Sequence, residues 1–317
     1  MQRSFVLRKA EDARRAGASI RTTTRRDAKY TAKTLLLHGN LTIKYGRDIH
    51  PMTHNSKSPI GVYDSGVGGL TVLRRLRALL PGEDILYFGD SHNCPFGNRS
   101  RQELCGITQR IFDFFQSRAV KLTVSACNTT SALFQLEGEP NCGFKVISII
   151  EPIARQLAQL DLEEVGIIAT EFTISSGMYE KLVHKESPGT KVWGQGSASL
   201  ARLVDACRFE GEEIPKEVRR LTSELLSRRS LSHIVLACTH YPIVGEEFCK
   251  AAPGVTFLDP AAAQAQATAQ LLAGEGLLNS QAAGKLEVYT SGDPALFEKV
   301  AGRMGIEGIG KVEKLVL

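Results

Sequence analysis

No stretch of this chain is apolar for the roughly 18 residues a membrane-spanning helix needs. Even "VISIIEPIA" is interrupted by Glu151, so the sequence offers no membrane partner. None of the seven cysteines, Cys94, Cys105, Cys127, Cys142, Cys207, Cys238 and Cys249, forms a CxxC pair. That argues against a zinc knuckle and against a thioredoxin-type motif. The first 57 residues have few aromatics and no apolar core of the kind a secretory signal carries. With no export signal, the compartment is expected to be cytoplasmic and reducing, and the cysteines free. The glycine turn "DSGVGGL" has neither the G-x-G-x-x-G nor the Walker spacing, so nucleotide binding has little support.

The charge is unevenly placed. Residues 1–57 hold 13 Lys and Arg against 4 Asp and Glu, a balance of +9, which leaves −4 for the remaining 260 of the 317 residues. A mildly acidic body gives nucleic acid no electrostatic footing, so that partner is expected, if at all, only through the basic leader. The leader, residues 1–57, reads as a disordered extension. It is open to three readings: translated sequence upstream of a start at Met52, an Arg-rich targeting peptide against which Glu11, Asp12 and Asp27 count, or a basic arm.

From Pro59 onward, short β-branched runs alternate with amphipathic patterns. "IGVYDSG", "DILYFGD", "KLTVSACN", "KVISII", "VGIIAT", "KVWGQG", "HIVLACT" and "VTFLD" read as strands. "LTVLRRLRALL" places Leu70, Leu73, Leu76 and Leu80 on one helical face, opposite Arg74, Arg75 and Arg77. Further helices are expected over "RQELCGITQRIFDFFQSR", from about Ser175, over "EEIPKEVRRLTSELLSRR" and from about Ala261. Such alternation predicts parallel sheets flanked by helices. The pattern also looks duplicated: a strand ending in Asp64-Ser65-Gly66 precedes one ending in Ala126-Cys127, and a strand ending in Ala169-Thr170 precedes one ending in Ala237-Cys238. The expected fold is therefore α/β, with two pseudo-symmetric lobes facing a shared cleft at their strand ends.

Cys127 and Cys238 each follow an apolar strand and precede small polar residues. A single cysteine there is most simply a small core hydrophobe; a matched pair flanked by polar groups points to chemistry. A free thiol is only a few per cent thiolate at neutral pH, so a cysteine base needs help, and a following helix N-terminus would lower its pKa. His240 is the titratable neighbour of Cys238. Gly66, Gly68 and Gly69 would bring backbone N–H groups close to an anion. Thr170, Thr173, Ser176 and Tyr179 recur at three-residue intervals, where capping is the default role for Thr173 and Ser176.

Taken together, "GVYDSGVGGLTVL", "YFGDSHNCPFG", "ACNTTSA", "ATEFTISSGMY" and "LACTHYP", in that order, resemble the cofactor-independent glutamate racemases of the aspartate/glutamate racemase superfamily. The likeness covers the chain from about Ile60 onward. It implies inversion of glutamate at its α-carbon with no cofactor and no metal, by two thiols on opposite faces. Cys127 would deprotonate D-glutamate and Cys238 L-glutamate, with Asp64 and His240 as acid–base neighbours. Ser65, Pro95, Phe96, Gly97, Asn128, Thr129, Thr170 and Thr239 match the substrate-holding positions. The resemblance further implies a homodimer supplying D-glutamate for peptidoglycan, with a first lobe of residues 58–151 plus 260–317 and a second of 152–259.

The chain departs from the family pattern in three places. Phe96 stands where tyrosine is common, and Asp205, in "SLARLVDACRFEG", stands where a further electrostatic glutamate is usual, its reach shorter by one methylene. The Cys-Pro that often comes before that segment is missing from "GQGSASLA". Cys94 matches no catalytic position and is read as incidental. Two competing readings stay open: an aspartate or other amino-acid racemase of the same superfamily, and a thiol redox protein pairing Cys127 with Cys238.

Overall fold

The computed structural model describes residues 55–317 except 228 and 307. The readings of the leader therefore fall almost wholly outside the described residues.

Among the described residues, ten strands form two parallel sheets flanked by eleven α-helices. β1 (Ile60–Asp64), β2 (Ile85–Gly89), β3 (Leu122–Ser125) and β4 (Lys145–Ser148) lie in the order β2-β1-β3-β4, and β9 (Leu286–Thr290) and β10 (Val312–Lys314) extend the β2 edge. The second sheet, of β5 (Glu164–Thr170), β6 (Lys191–Ser197), β7 (His233–Ala237) and β8 (Thr256–Leu258), runs β6-β5-β7-β8. Numbered from its own first strand, each sheet has the order 2-1-3-4, so the duplication legible in the sequence is a duplication of topology. In such sheets the chain turns outward in opposite directions from the two central strands, and a crevice opens where their carboxyl ends lie side by side. That crevice lies at β1/β3 in one sheet and at β5/β7 in the other.

Strand alternation then decides which side chains face which layer. Ile60 and Val62 of β1, Leu122 and Val124 of β3, Val165 and Ile167 of β5, and Val235 of β7 join one central apolar cluster. Into it pack α1 (Leu70–Leu79), α4 (Ile150–Gln159), α6 (Met178–Glu186) and α10 (Ala261–Gly274). The opposite face of the six-stranded sheet is covered by α2 (Arg101–Ser117), whose Leu104, Ile107, Ile111, Phe112 and Phe115 recur at helical spacing. A capping box between Ser100 and Glu103 fixes where α2 starts. The outer face of the second sheet is covered by α7 (Leu200–Asp205), α8 (Glu213–Leu226) and α9 (Gly245–Ala251). Burying one such Leu or Phe side chain contributes about 1.5–3 kcal/mol.

The helix expected from about Ser175 begins earlier and is broken. Thr170 caps α5 (Glu171–Ser175), its hydroxyl accepting from the Thr173 N–H. Gly177 then takes a left-handed conformation, with φ 66°, before α6 starts at Met178. Only glycine adopts that turn without strain. The strand read over "KVISII" stops at Ser148, because Ile150 already opens α4. Two more helices complete the set, α3 (Asn128–Glu137) after β3 and α11 (Pro294–Arg303) between β9 and β10. Among the described residues no helix is long and apolar enough to cross a membrane.

Candidate active site

Residue parity carries Cys127 and Cys238 to equivalent places. Tyr63 pairs with Ser125 and Ala169 with Ala237. Extending those registers sets Cys127 level with Ser65 and Cys238 level with Thr170. Both cysteines stand just past the last residue of the third strand of their sheet, and both are buried, 4% and 6% exposed.

Cys127 is the N-cap of α3. The sequence reading expected that helix N-terminus to supply part of a lowering of the thiol's pKa; it does pull that way, but burial outweighs it. Burial, followed by the Asp64 carboxylate, pushes Cys127 up to about 11, against the opposing pull of the Thr130 backbone N–H and the Ser65 hydroxyl. Losing water costs a thiolate more than a few donors return. Cys238 contributes to the same rise, so the two sulfurs are near enough to feel each other's charge.

Asp64, at the end of β1, is fully buried. Its carboxylate accepts from the Gly66 N–H at 3.1 Å and from the Thr239 hydroxyl at 3.0 Å, joining the turn after β1 to the turn after β7. Burial pushes its carboxyl above the usual range, with the His240 charge as the main opposing influence.

His240 lies on the other side of Thr239 and is 1% exposed. Its Nδ1 is 3.8 Å from the Cys238 sulfur and its Nε2 3.2 Å from Asp205 Oδ1. Burial alone pulls an imidazole down. The hydrogen bonds to Asp205, Cys238 and Cys94 outweigh it and hold His240 well above its ordinary value. That direction favours the charged form of the ring beside the Cys238 sulfur. Asp205, at the end of α7, reaches this ring despite being shorter than a glutamate, and it also accepts from the Val67 N–H at 2.9 Å and from the Ser91 hydroxyl at 3.4 Å.

This gives the glycine turn a different purpose from the one its spacing suggested. A Cβ on Gly66 would lie 2.1 Å from Asp205 Oδ1, and one on Gly68 would lie 2.4 Å from Thr239 Oγ1 and 2.8 Å from the His240 backbone nitrogen. Gly66 and Gly68 are small because side chains and backbone of the second lobe press on them. The turn's own N–H groups meet carboxylates of the protein, Gly66 donating to Asp64 and Val67 to Asp205.

The remaining predicted residues line the same region. Ser65 is buried beside Cys127. Asn128 accepts from the Tyr179 hydroxyl at 2.6 Å, while its own Nδ2 is buried without a partner. The Thr129 and Thr170 hydroxyls are 3.1 Å apart, and Thr170 is 3.0 Å from the Thr173 hydroxyl. Ser176 serves its own turn, donating to the Thr173 carbonyl and accepting from the Met178 N–H. Pro95 follows a cis peptide bond. A Cβ on Gly97 would come within 2.7 Å of Thr170 Cβ, so this loop of the first lobe lies directly against the end of β5. Phe96, 1% exposed, points into the aromatic cluster with Tyr63 and Phe112, so it forms part of the wall behind Cys127.

Sequence reasoning missed Ser91 and Cys94, which bring their side chains to Asp205 and His240 from the loop after β2. Their only signal was a place in the same "DSHNCPFG" stretch as Pro95 and Gly97.

Comparison with known proteins identifies the family. The sequence profile described as Asp/Glu/Hydantoin racemase matches residues 68–268. The glutamate racemase of Herpetosiphon aurantiacus is 39% identical over 253 residues, 78% of this chain and 98% of that one. The crystal structure of glutamate racemase isoform RacE1 from Bacillus anthracis superposes with a TM-score of 0.76 at 30% identity, covering 83% of this chain and 99% of that one. The Francisella tularensis glutamate racemase, solved in complex with D-glutamate, gives 0.71 at 30% identity, over 82% and 98% of the two chains.

Proposed function

The chain belongs to the Asp/Glu/hydantoin racemase family, among its glutamate racemases, and from that premise we propose that it interconverts L- and D-glutamate by a two-thiol mechanism and so supplies D-glutamate for peptidoglycan. The observation that carries the mechanism is the pairing of Cys127 and Cys238 at matching strand ends of two duplicated sheets, each beside its own ionisable neighbour. One group on one face can return a proton only where it came from; inversion needs a second group opposite. Cys127 as thiolate takes the α-proton of D-glutamate, and Cys238 as thiol gives one to the other face. The reverse passage starts from the Cys238 thiolate and L-glutamate. After each turnover the two sulfurs have exchanged protonation states.

Asp64 and His240 hold the charges around the sulfurs, and Asp205 holds His240. Ser65, Asn128, Thr129, Thr170 and Thr239 supply hydroxyl and amide donors for the substrate's carboxylates, with the unpartnered Nδ2 of Asn128 the clearest vacant donor. Donors fixed in a dry site stabilise the charge that develops on the carboxylate as the α-proton leaves. The family likeness carries with it a cytoplasmic homodimer.

The test is incubation with L-glutamate in deuterated water, followed by NMR of both enantiomers. Deuterium is expected at the α-carbon of L- and D-glutamate alike, with aspartate exchanging far more slowly. Absence of α-deuterium in either enantiomer overturns the assignment, and equal rates on aspartate overturn the substrate.

The elevated Cys127 thiol gives a pH dependence. In Cys238→Ser, α-deuterium exchange into D-glutamate reports on Cys127 as the sole base. A thiol titrating near 11 gains thiolate as pH rises, so this exchange should increase about tenfold per pH unit between about pH 7 and 9. A plateau reached near neutrality would mean that the thiolate is already formed.

A further inference from the structure

We infer that Cys94, Asp205 and His240 form an inhibitory binding site for a thiophilic divalent cation of the zinc class. Three ligand atoms, the Cys94 sulfur, an Asp205 carboxylate oxygen and a His240 ring nitrogen, all lie within 4.8 Å of one another. They arrive from three separate segments: the loop after β2, the end of α7 and the turn after β7. Sulfur, imidazole and carboxylate together are the donor set that zinc takes, at about 2.3 Å for sulfur and about 2.0–2.2 Å for nitrogen and oxygen. Around a tetrahedral centre those lengths put donors roughly 3.3–3.7 Å apart, and His240 Nε2 and Asp205 Oδ1 already stand at 3.2 Å. The sulfur has about an ångström to travel at most.

The surroundings suit a three-ligand site with one open position. Asp205 is oriented by the Val67 N–H and the Ser91 hydroxyl, which is how outer partners fix a metal ligand. His240 and Asp205 are 1% and 13% exposed in their side chains, whereas Cys94 is half-buried and gives the ion a side of entry. Binding displaces the Cys94 thiol proton and the proton of the ligating His240 ring nitrogen to solvent. The ion also ties a first-lobe loop to the second lobe and occupies the imidazole that otherwise serves Cys238. Its effect on turnover, which rests on the two-thiol reading, is therefore inhibition.

The experiment uses the full chain and Cys94→Ser side by side. Co2+ is titrated in as an optical probe of thiolate ligation, Zn2+ is titrated by calorimetry, and racemisation is followed with Zn2+ and after chelation. The wild type is expected to show a thiolate-to-Co2+ charge-transfer band and Zn2+ inhibition that EDTA reverses. Cys94→Ser is expected to lose the band and to need about tenfold or more Zn2+ for the same binding and the same fractional inhibition, each read against its own metal-free turnover. An unchanged band or unchanged Zn2+ affinity in Cys94→Ser overturns the site, as does a wild type that shows no band at millimolar Co2+. A band that depends on Cys94 in a protein with no racemase activity would uphold the site and overturn the proposed reaction instead.

Discussion

Cys127→Ser and Cys238→Ser are each expected to lose racemisation by roughly 10³-fold or more while remaining folded. A positioned acid or base contributes about 10²–10⁴-fold, and a serine hydroxyl, far weaker as an acid than a thiol, needs a dedicated base to act as one. Neither site has such a base at serine's disposal: Cys127 lies beside the Ser65 hydroxyl and a carboxylate already bonded to Thr239 and Gly66, and the bonds around His240 beside Cys238 disfavour its neutral, basic form. The two variants should fail differently. With Cys127 removed, the Cys238 thiolate can still abstract from L-glutamate and return a solvent-derived deuteron to the same face, so L-glutamate gains deuterium without inverting. With Cys238 removed, the same happens to D-glutamate. Melting temperatures within a few degrees of wild type would assign the loss to chemistry. Near-full racemisation by either variant would refute the two-base scheme, and identical deuterium patterns would refute the assignment of faces.

That these two residues were readable from the sequence has a local cause. Each follows a short strand, "LTVS" or "HIVLA", that is buried along almost its whole length and rich in β-branched residues, and each precedes polar residues that a core would reject. The duplicated sheet order was legible for the same reason, since the strands at β1, β3, β5 and β7 are central. β9 and the edge strand β10 beside it, "LEVYT" and "VEK", are partly exposed and carry charge, so periodicity alone did not announce them. The net direction of the thiol's shift was not legible because spacing shows the helix N-terminus and says nothing of lost water. Cys94 was set aside because its partners stand 111 and 146 positions further along the chain, at Asp205 and His240. The glycine turn was legible as a close approach but not as an approach to Thr239, His240 and Asp205, because what presses on a glycine is decided by the tertiary fold.

That last point yields a prediction about a residue with no side chain. Gly68→Ala is expected to lower racemisation by about 10²-fold or more. The new Cβ would meet Thr239 Oγ1 at 2.4 Å, His240 Nδ1 at 2.6 Å and the His240 backbone nitrogen at 2.8 Å. A flexible side chain can rotate away, but here a backbone atom and a ring fixed at both nitrogens must move. Relief therefore shifts the whole turn, lengthening the 3.0 Å bond from Thr239 to Asp64 and the 3.8 Å approach of His240 to Cys238. Misplacing a catalytic group by about 1 Å can cost about 10²-fold, and overpacking of this kind costs about 1–3 kcal/mol of stability. Gly106→Ala is the matched control: it lies in the interior of α2, exposed, where the nearest heavy atom to a new Cβ is the Arg110 guanidinium at 3.8 Å. There the same substitution should stabilise by about 0.5–1 kcal/mol through helix propensity and leave turnover unchanged. Wild-type turnover by Gly68→Ala would mean that the geometry of His240 and Thr239 does not govern the rate. A loss fully explained by unfolding at the assay temperature, seen by circular dichroism, would make Gly68 a packing residue only.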